Sequence, residues 1–245
     1  MLFRSQLFLT ARGIIAIAVF ECCNAFAISF TVPSPPTAMA IIPNGSGNGL
    51  ARHLAIPVDV QKAISLINNF KTKTIDTFEV NGQLAVNVAG VGFDAYVAQR
   101  FSQGASRGFF NYVRCVMQSY SQYNSFSAKI LLERNYVETS AWMISFANST
   151  QFGNNATIAP YAIIDDGVLD ITVCQKIPLL NIPLFALRLF TKRLKPSKYV
   201  QFHRVSRTVV TFQKLIPLHI DGEPRGECDK VEIKVIPQSL NVICN

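Results

Sequence analysis

Two dipeptides limit the fold of this chain more than any other feature. Asn81-Gly82 separates "KTIDTFEV" from "QLAVNVAG", and Asp221-Gly222 separates "LHI" from Glu223 and the residues after it. Both dipeptides favour tight hairpin turns, and Asn-Gly favours the primed turn whose twist matches that of paired strands. A further hairpin is expected from "SAKILLE", a turn at Arg134-Asn135, and "VETSAWMISFAN". Strands continue through "GVLDITVC", "RTVVTF", "KVEIKVI" and "LNVIC". Antiparallel β-structure therefore dominates after Lys71. The 49% apolar share and the 16% charged share agree with a folded, strand-rich chain with a sizeable core.

Before Lys71 the texture is different. "AIIPNGSGNGLARHL" (Ala40–Leu54) reads as a buried strand, a glycine turn and a short helix that stops before Pro57. Asp59 is placed to cap a second helix, "VQKAISLINNF", with Val60, Ala63, Ile64 and Ile67 on one face. This is a βα unit of an open α/β domain. "FDAYVAQRF" and "RGFFNYVRCVMQSYSQY" read as helices, the second with Phe110, Val113, Val116 and Met117 at helical spacing. "LFALRLFTKRL" reads as an amphipathic helix interrupted by Pro196. The expected fold class is α+β with two domains: a partial α/β nucleotide-binding domain, then a mainly antiparallel β-sandwich. The expected divisions are an atypical segment 1–38, an α/β part at 39–75 with a return at about 230–245, and the β domain at 76–229.

Charge is concentrated. Between Asp170 and Asp221 there are nine basic residues and no acidic one, whereas the other positions carry 14 basic and 15 acidic residues. The net charge of +8 thus arises in one window, which suits an anionic membrane surface, a nucleic acid or a phosphorylated substrate, or is simply a solvated face. No nucleic-acid recognition motif accompanies it. The six cysteines and three histidines are dispersed without metal-site spacing, as reduced thiols of a cytoplasmic protein would be. At the start, Arg4 and Arg12, the apolar "GIIAIAVF" and "NAFA" form a secretory-signal-like pattern, followed by the Pro-rich "TVPSPPTAMA". A signal or anchor, a replacement of a lost segment and a misplaced start of the reading frame all account for residues 1–40.

Four short patterns could carry chemistry. "NGSGNG" offers backbone N–H groups and the Ser46 hydroxyl to a phosphate, although a tight turn also uses glycine for steric reasons. In "NVAGVGFDAYVA", Asp94 stands near a helix start, where a carboxylate offsets the helix dipole. "IAPYAIIDDGVLDIT" places Asp165 and Asp166 in a turn, and such carboxylates beside free carbonyls can hold Mg²⁺ or Ca²⁺. In "LHIDGEPRGE", Glu223 at the turn tip is either solvated or free to act as a general base.

In this order and spacing the four patterns resemble the diacylglycerol kinase catalytic family over about residues 39–243, with the "GSGN" form similar to its sphingosine-kinase-like branch. The resemblance implies a nucleotide domain, a β-sandwich, and transfer of the ATP γ-phosphoryl to a lipid hydroxyl. It implies nucleotide contacts at Gly45, Ser46, Gly47 and Asn48, and Glu223 as the base. It implies Mg²⁺ ligation by Asp166 with the carbonyls of Ile163 and Val168, and a carboxylate of the Mg²⁺ network at Asp76. Positioning and charge neutralisation suffice for such a transfer. Two departures stand out: Gly49 occupies a position where many bacterial members have Asp, and residues 1–40 contain no counterpart of the family's GGDGT loop. That gap leaves the strand at Met39–Pro43 without its usual sheet neighbours. The expected partners are ATP, Mg²⁺, a lipid substrate and the surface of an anionic membrane, with a homo-oligomer admitted. The expected location is cytoplasmic and peripheral to a membrane. A catalytically silent chain that only binds lipid is the alternative, and a secreted β protein is a third reading.

Overall fold

A computed structural model describes residues 6–10, 13–21, 38–44, 47–103 and 108–245. Strands β1 (Gln6–Thr10) and β2 (Gly13–Glu21) are antiparallel, and β2 runs parallel to β3 (Ala38–Asn44). Helices α1 (Gly49–His53) and α2 (Val60–Asn69) follow. β4 (Thr72–Val80) and β5 (Gln83–Ala85) form the Asn81-Gly82 hairpin, whose turn residues have φ of 50° and 77° as a primed turn needs. β6 (Val88–Gly92) leads into α3 (Phe93–Gln103) and α4 (Phe109–Tyr120). Next come β7 (Phe126–Leu132), β8 (Asn135–Ala141), β9 (Met143–Ala147), the small pair β10 (Gln151–Gly153) and β11 (Ala156–Thr157), and β12 (Leu169–Cys174). A 3₁₀ turn at Leu179–Asn181 precedes α5 (Ile182–Phe190), and β13 (Val200–Val205), β14 (Arg207–Ile220) and β15 (Glu223–Ile243) complete the order.

The main sheet runs β1-β2-β3-β15-β14-β6-β9-β12-β13, with β4 and β7 branching from β15 and β14. β15 is 21 residues long and belongs to both halves of the molecule. Its first part pairs with β14, and its last part lies between β4 and β3. The strand at Met39–Pro43 is therefore not without neighbours, because β2 bonds it on one side and β15 on the other. The apolar "GIIAIAVF" of the signal-like pattern is that β2 strand. The "NAFA" site and most of the Pro-rich stretch lie outside the described residues, as do Gly45 and Ser46.

Three apolar clusters fill the interior. One, around Phe78, Ile144, Phe146 and Ile171, lies within the antiparallel part; a second, around Met39, Leu50 and Val242, lies under α1 and α2. The third lies between the outer face of β9 and helices α3, α4 and α5. Some local expectations shift. Asp59 caps α2 by accepting from Lys62 N–H at 2.9 Å, but the buried stripe of α2 is Ala63 and Leu66, whereas Val60 and Ile64 are exposed. The first hairpin after α4 turns at Glu133-Arg134, with Leu132 opposite Asn135. The long "VETSAWMISFAN" run divides at Trp142, whose N–H and C=O bond Cys174 and Phe93 rather than a ladder partner, so that β8 pairs with β7 while β9 pairs with β6 and β12.

The two halves meet at a buried carboxylate. The β15 register against β4 shifts between Ile236 and Leu240, which strips Gln238 N–H of its ladder partner. Asp76, fully buried on β4, accepts that N–H at 2.7 Å through Oδ1 and Gly167 N–H at 2.6 Å through Oδ2. Asp76→Ala leaves both donors unpaired and is expected to lower the unfolding free energy by about 2–4 kcal/mol. A urea melt reads this directly; a loss below about 1 kcal/mol would mean that water replaces the carboxylate.

Candidate functional site

The third apolar cluster is not completely filled. An apolar cavity of about 350 Å³ opens between α3, α4 and α5, lined by Val97, Phe101, Tyr112, Val116, Phe185 and Leu189. Trp142 forms part of its wall, stacked on Phe93 with ring centroids 3.7 Å apart and met edge-on by Tyr120. The lining also includes Gly47, Asp94, Asn154, His219 and Gly222, contributed by four separate segments. Such a form, apolar with a few convergent polar groups, is that of a small-molecule site.

Two of those segments are turns. Asp221 and Gly222 have φ of 50° and 84° and join β14 to β15 with Ile220 opposite Glu223, which is half-buried. The Asp221 carboxylate accepts N–H groups from Val86, Asn87 and Val88 at 2.8–3.0 Å, which ties the tip to the start of β6. Burial raises its pKa to about 6 against the opposing pull of those bonds. The other turn follows β3. Gly47 C=O accepts from Asn154 N–H at 2.9 Å and from Arg52 Nε at 3.3 Å, and Asn48 bridges to Gly153. Asn48 is left-handed, with φ of 51°, just before α1. A Cβ on Gly49 would lie 2.6 Å from Phe152 O, so that glycine is needed for close backbone contact with β10.

Asp166 lies elsewhere, on an exposed turn between Ile163 and Val168. Its Oδ1 accepts Val168 N–H at 3.2 Å and its Oδ2 pairs with the Arg204 guanidinium. Mg²⁺ at Asp166 would fit only in exchange for Arg204, which already supplies the positive charge there. Asp76 reaches the same turn, but its two oxygens face the N–H groups of Gly167 and Gln238. Beside them Asp170 is almost fully buried; its Oδ2 has no hydrogen-bond partner and stands 3.6 Å from Arg204 Nε. Among the described residues, no group of three or more His, Cys, Asp or Glu is arranged to hold a metal.

Comparison with known proteins bears on this geometry. Residues 87–244 match the YegS C-terminal NAD kinase beta sandwich-like domain, and residues 18–80 match the diacylglycerol kinase catalytic domain. The chain belongs to the YegS-like diacylglycerol kinase family. It is 29% identical over 217 residues to an uncharacterized protein of Synechocystis sp., covering 83% of this chain and 48% of that one. It is 27% identical over 207 residues to a Pseudomonas aeruginosa protein named "Probable lipid kinase YegS-like", covering 84% and 67%. A Shewanella frigidimarina protein of the same name is 23% identical over 212 residues, covering 84% and 66%. The chain thus spans from about half to two thirds of these relatives' lengths. The fold is shared with a diacylglycerol kinase from Bacillus anthracis at a TM-score of 0.69 and 20% identity, covering 94% of this chain and 76% of that one.

Within this family frame, Gly47 and Gly222, the chain neighbours of Asn48 and Glu223, line the cavity, whereas Asp166, Ile163 and Val168 lie on a different turn. Sequence reasoning missed two members of the constellation and, apart from it, Arg204 beside Asp166. Asp94 reads as a dipole-compensating carboxylate, yet it lines the cavity and faces His219. His219 is one of three dispersed histidines, and no local pattern marked it. Arg204 carried no local signal at all.

Desolvation raises the Asp170 pKa to about 6, against the pull of Arg204. The folded chain therefore holds a proton that the unfolded chain has lost between the ordinary value of 3.8 and about 6. The contribution to stability is complete below the lower value and is lost as pH rises through the upper one. Urea melts at pH 4.5 and 6.5 are expected to show about 1–3 kcal/mol less of this decline in Asp170→Asn than in the wild type. An equal decline would assign the slope to other carboxylates.

Proposed function

We propose that the chain transfers the γ-phosphoryl group of ATP to the hydroxyl of a lipid held in the cavity between α3, α4 and α5. The observation that carries this reading is an apolar cavity whose lining includes Gly47 of the glycine turn and Gly222 of the turn that bears Glu223. The lipid chain lies among the apolar side chains and its hydroxyl reaches the polar residues. The glycine turn, with Gly45, Ser46, Gly47 and Asn48, cradles the nucleotide phosphates. Glu223 accepts the hydroxyl proton as the lipid oxygen bonds the γ-phosphorus, and the bond from that phosphorus to the ADP oxygen breaks. Mg²⁺, bound to the nucleotide phosphates, would supply charge neutralisation there. Any lipid alcohol that fills the apolar space is admissible, because shape and lining set the choice.

The same reading places the chain at an anionic membrane surface. Phe110 of α4 is 86% exposed and Leu180 beside α5 is 93% exposed, with Met117, Leu184 and Leu187 also exposed nearby. Arg188, Lys192, Arg193, Lys195 and Lys198 follow along α5 and just beyond it. Apolar residues flanked by cations are the pattern of an interfacial helix. No described helix is long and apolar enough to cross a membrane.

A second reading is lipid binding without transfer. Radiolabelled ATP and diacylglycerol in phosphatidylglycerol vesicles separate the two. Transfer of label to lipid is expected, with Glu223→Gln lowering it about 100-fold or more while ATP affinity stays within about twofold. Lipid binding with no label transfer in the wild type would leave the second reading.

A further inference from the structure

The Asp221-Gly222 turn is held from below by an imidazole. His219 is buried near the end of β14, and its Nδ1 lies 3.1 Å from Gly222 N–H, which donates to it. A nitrogen that accepts a hydrogen bond carries no proton, so the proton of the neutral ring sits on Nε2. Nε2 lies 3.2 Å from Asp94 Oδ2, in the first turn of α3. Asp94 is itself fixed: Oδ1 accepts Ala95 N–H at 2.8 Å, and Ser145 Oγ stands 3.5 Å from Oδ2. The arrangement depends on the glycine opposite His219 in the β6–β14 pairing. A Cβ on Gly90 would lie 2.2 Å from Asp94 Oδ2 and 2.7 Å from His219 Nε2. Phe152 closes a further side, edge-on to the imidazole at 6.4 Å.

The geometry points to His219 and Asp94 as a positioning pair that couples the cavity wall to the base-bearing turn. α3 lines the cavity through Val97 and Phe101, and its first turn fixes the His219 ring. The ring in turn holds Gly222, whose neighbour in the chain is Glu223. A lipid seated against α3 therefore meets a Glu223 turn already set in place. The pair touches no reacting atom; its effect is exerted through the turn. The inference rests on the reading of Glu223 as the base.

Two substitutions divide the ring's two roles. His219→Asn keeps an acceptor near the place of Nδ1, whereas His219→Gln keeps a donor near the place of Nε2 and leaves Gly222 N–H unpaired. His219→Gln is expected to lower kcat about 100-fold with the KM for ATP and for diacylglycerol within about twofold, as a misplaced catalytic group does. His219→Asn restores the Gly222 acceptor but loses the donor to Asp94, so its kcat is expected to lie between the two, about tenfold below the wild type. Equal losses in both variants, full recovery in His219→Asn, or a loss confined to KM, would overturn the pairing. A second measurement needs no turnover: ¹⁵N-imidazole and amide NMR of the whole chain. An unprotonated Nδ1 in the wild type, with the Gly222 amide shifted in His219→Gln but not in His219→Asn, supports the pair. A protonated Nδ1, or a Gly222 amide that moves in both variants or in neither, ends it. If the wild type transfers no phosphoryl group, the base assignment of Glu223 fails while the NMR result still decides the pair.

Discussion

One strand serves two packing problems. β15 extends the antiparallel framework beside β14 for its first half and then enters the junction between β4 and β3. A straight strand cannot meet both neighbours in register, because the sheet must change partners and hand of pairing along its length. The irregularity at Ile236–Leu240 absorbs that change, and Asp76 stabilises it by accepting the N–H that the ladder drops. Gly47 after β3 and Gly222 before β15 both line the cavity.

Buried carboxylates recur as clamps in this fold. Asp76 ties two segments and Asp221 takes three N–H groups from the start of β6. Each replaces a missing ladder bond or an orphaned turn amide, which is why a fully buried carboxyl group is tolerated. Asp170 is the exception, since its Oδ2 faces only Arg204. Burial raises the pKa of both Asp170 and Asp221 to about 6, and the opposing pull comes from Arg204 in the first and from the three N–H groups in the second.

The cavity and the exposed faces of α4 and α5 are two sides of one economy of apolar surface. Phe185 and Leu189 turn inward to line the space, while Leu184 and Leu187 on the same helix turn outward. A helix apolar on both sides is stable at a boundary where a second apolar phase covers the outer face. α5 thus has the cavity on one side and exposed apolar residues on the other.

Much of the framework was legible in the sequence because it depends on neighbours along the chain. Asn81-Gly82 and Asp221-Gly222 impose left-handed backbone whatever the fold, and Asp59 caps α2 through a residue three positions away. The motif order was equally local, and it led to the family. Other features depended on contacts between distant segments. Which face of α2 is buried is decided by β3, not by the apolar count of the helix. The division of the run at Trp142 comes from two strands competing for it on different sides. His219 met Asp94 across 125 positions of chain only because Gly90 left room between them. Turn chemistry and capping are properties of adjacent residues and are written in the sequence. The partner of a buried polar atom is a property of packing, and only the tertiary structure supplies it.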